Sequence, residues 1–366
     1  MKDDFNDDFF EDNEINELIR VFEKKIKDNE SFFFDVDEYE LLIDYYIEKE
    51  NYKYISHLLN LASEQHPSST SILLKKAQYF AYNDKNDKAL EILTQLEKID
   101  PSNVDVLFTK GAIYSNLQRY EKAIEEYKKA LSKVDELDEV YINIAYEYQF
   151  LGNYEKAIEY FNKAFELTQD ESIFPELSLC YEIIDKNDKI AEFFLKYIED
   201  NPYSYKAWFY LGTAYNLLGL YEKAIEAFDF SIAIDDKKPE AYYSKAITLF
   251  QNDKYAEAIK VYSELIDIDD NKGLVYYYLG ECYEKINDYL NAIKYYEDAI
   301  SIDSTLADAY VGIGYVAEEL NQINKAITYL KKAIELEPDN SEFNYMLADV
   351  YFRNHYYSES INYYKK

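Results

Sequence analysis

One octapeptide pattern returns along the chain, as Tyr120-Glu-Lys-Ala-Ile-Glu-Glu-Tyr127, Tyr154-Glu-Lys-Ala-Ile-Glu-Tyr-Phe161, Tyr221-Glu-Lys-Ala-Ile-Glu-Ala-Phe228 and Tyr255-Ala-Glu-Ala-Ile-Lys-Val-Tyr262. Its starts lie 34, 67 and 34 residues apart, that is one, two and one periods. A fixed period of this length restricts the fold more than any composition does. Each unit is too short to enclose a core alone, so it covers its apolar face against the next unit and the chain grows as an array. Carried in both directions, the frame divides the chain into units 36–69, 70–103, 104–137, 138–170, 171–204, 205–238, 239–272, 273–306 and 307–340, with a partial unit 341–366. Only 138–170 is 33 residues long rather than 34.

Within a unit the apolar residues follow helical spacing twice, with a break between. In 205–238, Trp208, Leu211, Gly212 and Tyr215 form the first stripe, Asn216-Leu-Leu-Gly-Leu220 the break, and Tyr221, Ala224, Ile225 and Phe228 the second stripe. With only 8 Gly and 6 Pro in 366 residues, the chain has too few turn formers for an all-β fold. Each unit therefore reads as an antiparallel hairpin of helix A and helix B. Positions are counted below from the first residue of a unit. The eighth is small (Gly111, Ala145, Gly212, Ala246, Gly280, Gly314, Ala348), as is the twentieth (Ala89, Ala123, Ala157, Ala224, Ala258, Ala292, Ala326), so the two helices can approach closely. Pro67, Pro101, Pro202 and Pro338 stop helix B, and Asp or Ser does so elsewhere. The excess of 42 Tyr follows from two packing positions, the eleventh (Tyr46, Tyr114, Tyr148, Tyr181, Tyr215, Tyr283, Tyr351) and the seventeenth (Tyr52, Tyr120, Tyr154, Tyr221, Tyr255, Tyr289, Tyr357).

The pattern aromatic-x2-Leu-Gly/Ala-x2-Tyr, then Ala-x3-Phe/Tyr, then Pro resembles the tetratricopeptide repeat. It is carried by Trp208, Leu211, Gly212, Tyr215, Ala224 and Phe228, and again by Tyr276, Leu279, Gly280, Tyr283, Ala292 and Tyr296. The resemblance spans 36–366 and implies an all-α fold, a right-handed α-solenoid of helix hairpins. Residues 1–35 stand apart. An acidic stretch over 1–13 with Phe5, Phe9 and Phe10 is expected to fray, and the stripe Ile15, Leu18, Ile19, Phe22 and Ile26 is expected to cap the first hairpin.

Charge and side-chain inventory exclude several functions. At 72 acidic against 39 basic residues the formal charge is −33, which repels nucleic acid and anionic membrane surfaces. The acidic N-terminus is unlike a secretory signal, no window is apolar enough to span a bilayer, and the expected location is the cytoplasm. His57, His66 and His355 form no ligand or catalytic motif, and no phosphate loop or nucleophile elbow is present. Cys180 and Cys282 both hold the tenth position and read as buried apolar residues rather than as a disulfide or metal pair. Neither enzymatic activity nor a cofactor or metal is expected.

The resemblance implies that ligands lie in the groove lined by helix A, at the second, fifth, ninth, twelfth and thirteenth positions. In this chain that groove contains Phe108, Asn116, Tyr146, Phe150, Lys206, Phe209, Asn216, Tyr243, Phe250, Tyr277, Glu281, Glu284 and Tyr315. Over all units these positions hold fifteen acidic residues and three basic ones, Lys206, Lys285 and Arg353. The chaperone-binding branch of the family clamps a C-terminal carboxylate with Lys at the ninth position. Here that position reads Asp44, Gln78, Ala112, Tyr146, Leu179, Thr213, Ile247, Glu281, Tyr315 and Asp349, so no such clamp is expected. The groove instead suits an extended segment of a protein partner carrying basic residues with apolar or aromatic anchors, its backbone bonded by Asn116 and Asn216. The alternatives are a solenoid that self-associates through its C-terminal unit, where Tyr351, Tyr357, Ile361 and Tyr364 have no following helix, and the repeat region of a longer protein. Unit 171–204 departs most from the pattern, with Pro175, Ser178, Ile190 and Tyr197 at atypical positions, and a change of twist is expected there, dividing the groove into 36–170 and 205–366.

Overall fold

A computed structural model describes residues 4–28 and 30–365, with side chains from Ile15 onward, and contains no strand among the described residues. Helix α1 (Asp4–Asp28) precedes hairpins α2 (Val36–Glu48) with α3 (Tyr52–Gln65), α4 (Thr70–Tyr82) with α5 (Asn86–Ile99), α6 (Val104–Asn116) with α7 (Tyr120–Ala130) and α8 (Asp138–Phe150) with α9 (Tyr154–Thr168). A 3₁₀ turn (Glu171–Ile173) leads into α10 (Phe174–Ile183) with α11 (Asn187–Asp200). There follow α12 (Tyr205–Leu217) with α13 (Tyr221–Ile234), α14 (Pro239–Gln251) with α15 (Tyr255–Leu265), α16 (Lys272–Lys285) with α17 (Tyr289–Ile302), α18 (Ala307–Glu319) with α19 (Ile323–Leu336) and α20 (Ser341–Arg353) with α21 (Tyr357–Tyr364). Two compact units are formed, residues 1–169 and 170–366. In each, every hairpin packs on the next as a solenoid.

Local chemistry explains the boundaries. The side chains of Asp35, Ser69, Asn103, Ser204 and Asn340 accept amide hydrogens of the first turn of a helix A, and Asp35 with Glu38 completes a capping box. Each helix A ends on a residue of left-handed backbone at the fifteenth position: Glu50, Asp84, Gln118, Gly152, Asp185, Gly219, Asp253, Asn287, Asn321 and His355. After α6 the amide of Gln118 donates to the Ser115 carbonyl at 2.7 Å and that of Arg119 to the Tyr114 carbonyl at 2.8 Å, the Schellman pairing that reverses the chain into helix B. α3, α5, α11 and α19 stop just before Pro67, Pro101, Pro202 and Pro338. Asp235 and Asp303 cap α13 and α17 where proline is absent, and Asp269 follows α15 by four residues, each accepting the amide two residues on.

In the first unit, Phe22 of α1 is fully buried against Tyr46 of α2 and Tyr54 of α3, and the Tyr46 hydroxyl donates to Glu23 at 3.0 Å. The expectation of a frayed stretch over 1–13 falls on residues whose side chains lie outside those described; the backbone is helical from Asp4. The same unit buries charge that periodicity does not announce. Lys110 of α6, 6% exposed, holds Glu97 of α5 at 2.6 Å and Glu126 of α7 at 3.4 Å, and Lys129 pairs with both acids.

In the second unit the ring at the twenty-fourth position fills the space left at the eighth. Tyr296 of α17 lies between Gly280 of α16 and Gly312 of α18, where a Cβ on either glycine would stand 2.5 or 2.4 Å from the ring. Unit 171–204 departs from expectation. Its helix A begins at Phe174 after the 3₁₀ turn, with Pro175 in the first turn of α10. The chain divides before these hairpin residues rather than across them, because Phe174, Phe194 and Tyr197 pack together and Phe174 and Phe194 also meet Tyr210 of α12. Cys180 and Cys282 are both buried. At the seventeenth position Tyr52 and Tyr357 are exposed rather than packed in the core.

Candidate functional site

Because helix A repeats along each unit, its outward residues at fixed positions line up across successive hairpins. Four of the sequence-predicted groove residues belong to the first unit. Phe108 borders an open cavity of about 520 Å³ with Gln78, Asp105, Thr109 and Glu139, and packs edge-on to Tyr127. Tyr146 meets Phe161 edge-on at 5.4 Å, Phe150 stacks on Tyr120 at 5.3 Å, and Asn116 is exposed at the end of α6. The acidic excess is smaller here than the groove positions alone imply. Lys75, at the sixth position and so outside the groove set, holds Asp44 at 2.6 Å.

The other nine belong to the second unit. Lys206 is exposed in the first turn of α12. Phe209 is half-buried among Tyr205, Tyr210 and Phe228. Asn216 is committed within the fold: its amide donates to Thr248 of α14 at 2.7 Å, and Thr248 in turn donates to the Ser244 carbonyl. That bond engages one N–H of the Asn216 amide expected to meet a peptide backbone. Tyr243 donates to Asp269 at 2.5 Å.

From α14 to α18 the expected groove positions are acidic and aromatic together. Phe250 and Glu281 line one cavity of about 340 Å³ with Ile247, Gln251, Tyr262 and Tyr278. Tyr262 and Tyr278 lie nearly parallel, centroids 5.3 Å apart. Burial raises the Glu281 carboxyl above its ordinary range, and Glu284 and Asp308 push it the same way, while a hydrogen bond from Tyr277 and the charge of Lys285 oppose them. Burial likewise raises Glu284, opposed by a hydrogen bond from the Tyr296 hydroxyl at 2.8 Å. Tyr277 stacks obliquely on Tyr278 and Tyr296. Tyr315 is exposed on α18, and Glu318 one turn on is raised by burial, although Arg353 counters it. Arg353, one of the three groove bases, is tied to Glu318 at 3.4 Å and to Asp349.

Two rings of the cavity were outside the sequence-predicted set. Tyr278 stands at the sixth position and Tyr262 at the twenty-fourth, on helix B, where Phe161 and Phe228 stand in other units. Glu147 of α8 was missed too. It is 4% exposed, one of its carboxylate oxygens has no hydrogen-bond partner, and burial raises it against a weaker hydrogen bond from Ser115. Among the described residues no helix is long and apolar enough to cross a membrane.

Family profiles described as tetratricopeptide repeat match residues 104–136, 138–171, 273–306, 307–340 and 329–361. A profile described as anaphase-promoting complex, cyclosome, subunit 3 matches 184–265. No curated protein matches the sequence. Among solved structures, the chain is similar to the C-terminal part of a TPR repeat-containing protein from Cytophaga hutchinsonii, with 16% identity over 74% of this chain and 97% of that one and a TM-score of 0.48. It is similar to MamA at 24% identity over 54% of this chain and 97% of that one, TM-score 0.39. It also resembles a chain of the APC/C hetero-tetramer Cut9-Hcn1, at 14% identity over 90% of this chain and 79% of that one, TM-score 0.43.

Proposed function

The chain is a tetratricopeptide repeat protein, a member of a family of protein-interaction scaffolds, and we propose that it binds an extended, basic and aromatic segment of a protein partner along its helix-A face. One observation carries the reading. From α14 to α18 the helix-A face combines half-buried aromatic rings with two carboxylates, Glu281, whose charged neighbours are Glu284 and Asp308 against Lys285, and Glu284, which faces Glu319 and Lys285. A cation entering such a surface gains both ring-face attraction and charge pairing.

Selection of a random peptide display library on the full chain tests this. The enriched peptides should carry Lys or Arg beside aromatic or large apolar residues. Their association should slow as salt rises, since exposed charges are screened beyond about 8–10 Å at physiological ionic strength. Enrichment of acidic peptides, or association indifferent to salt, would refute it.

A second reading is self-association through the last hairpin. It is favoured by the exposure of Phe352, Tyr356, Tyr357, Ile361 and Tyr364 on α20 and α21 and the turn between them. Light scattering over a concentration range decides it: a constant molar mass removes this reading.

A further inference from the structure

The cavity between α14 and α16 has a composition that a mixed binding groove does not require. Its wall contains three rings, Phe250, Tyr262 and Tyr278, and a single ionisable carboxyl, Glu281. Tyr262 is 2% exposed, so it forms a floor rather than a rim, and Tyr278 lies parallel to it. Phe250 is braced edge-on by Tyr255 at 5.1 Å. Gln251 adds an amide that can accept from a cation as well as donate. At about 340 Å³ the space stands at the small end of ligand cavities, the size for one long side chain and its flanking backbone rather than a cofactor.

Elsewhere in this unit the chain's own lysines cover aromatic faces: Lys223 over Tyr215 at 5.5 Å, Lys294 over Tyr295 at 5.1 Å and Lys331 over Tyr351 at 5.8 Å. Those rings stand at the eleventh position and on helix B, away from the positions that build the cavity. Around Glu281 itself the charged neighbours are Glu284, Asp308 and Lys285, two acids to one base. We propose that the α14–α16 cavity is a subsite for one arginine or lysine side chain of the bound segment, its alkyl stem on Ile247 and Phe250, its charged head between the tyrosine rings and the Glu281 carboxylate. Burial disfavours the charged form of Glu281, and pairing with an arriving cation offsets that cost.

This assignment rests on the groove reading above, and one experiment separates the two. An arginine-containing peptide from the library selection, and the same peptide with citrulline in place of that arginine, are titrated against the full chain and against Glu281→Gln. Citrulline keeps the shape and removes the charge. Glu281→Gln removes a carboxyl already crowded by acids, so the variant is expected to fold, which circular dichroism checks. The expected result is a loss of tenfold or more from arginine to citrulline on the native protein and a loss of less than threefold on the variant. Equal losses on both proteins would overturn the assignment of Glu281. Library enrichment with no basic position would overturn the subsite and the basic character of the groove reading together, whereas equal losses leave the groove reading standing. Absence of any enriched peptide would overturn both. Ile247→Trp, which fills the cavity, should abolish the arginine preference while peptides keep their aromatic anchors; unchanged preference would also overturn the proposal.

Discussion

Helix α16 contains two glycines seven residues apart whose replacement by alanine should act with opposite sign. At Gly273 a Cβ meets Ile302 and Asp303 at 3.5 Å, ordinary contact, and the change removes backbone freedom from the unfolded chain. Near a helix start this should stabilise by about 0.5 kcal/mol. At Gly280 the same Cβ would stand 2.5, 2.6 and 2.9 Å from atoms of the Tyr296 ring. The ring cannot move away freely, since Gly312 of α18 stands close on its other side, where an added Cβ would lie 2.4 Å from the ring, and its hydroxyl donates to Glu284 at 2.8 Å. Overpacking of this kind costs about 1–3 kcal/mol, and loosening a hydrogen bond to a charged acceptor adds about 1.5–3 kcal/mol if the ring turns. A helix-propensity gain of about 1 kcal/mol offsets part of this. Gly280→Ala should therefore lose about 2 kcal/mol net, and the two alanines should differ by about 2–3 kcal/mol. Repeat arrays need not unfold in one step, so the assay is native-state hydrogen exchange over residues 272–302, supported by urea midpoints. If both alanines shift exchange in the same direction, the ring is not pinned between the helices and the reasoning fails.

Three further outcomes are expected. Glu147→Met should stabilise the first unit by about 1–2 kcal/mol near pH 7.5, by removing a buried carboxyl with an unpaired oxygen. Because burial raises this carboxyl in the folded state, its contribution is favourable below the ordinary value of 4.5 and lost as pH rises through the raised one, so the gain from methionine should shrink on acidification; a gain independent of pH, read from urea midpoints, would contradict this. Lys110→Met leaves Glu97 and Glu126 to Lys129 alone and should cost about 2 kcal/mol, localised by hydrogen exchange to α5–α7, whereas an unchanged exchange pattern would show the network to be idle. Gln118→Gly, at a left-handed residue between α6 and α7, should stabilise by about 0.5–1 kcal/mol in the same measurement, and a loss would mean that the side chain matters more than the backbone.

How much of this was legible in the sequence depended on whether the cause lay within one hairpin or between two. The 34-residue period, the helix pairs, the small eighth and twentieth positions and the proline or aspartate that ends helix B all follow from contacts that every unit repeats, and repetition makes them visible. The tyrosine excess followed in the same way. The left-handed fifteenth position was partly legible, since Gly152, Gly219, Asp84, Asp185, Asp253, Asn287 and Asn321 suit it, whereas Glu50, Gln118 and His355 occupy it where the hairpin geometry forces them to.

Whatever depended on a particular partner was left to the tertiary structure. Asn216 and Thr248 stand 32 residues apart, and Asp44 and Lys75 stand 31 apart, so each pair is adjacent only once hairpins stack. Those two contacts alone engage one N–H of an expected peptide-binding amide and pair an expected groove acid with a lysine. The burial of Glu147 and Lys110 is of the same kind: a carboxylate or ammonium on a helix reads as solvated until the neighbouring helix covers it. The cavity at Glu281 combines both levels. Ile247, Phe250, Gln251 and Glu281 lay at positions the period identifies, while Tyr278 joins them from the sixth position and Tyr262 from helix B. A one-dimensional repeat specifies which positions face inward, but the stacking of one hairpin on the next decides which side chains meet there and how much water remains between them.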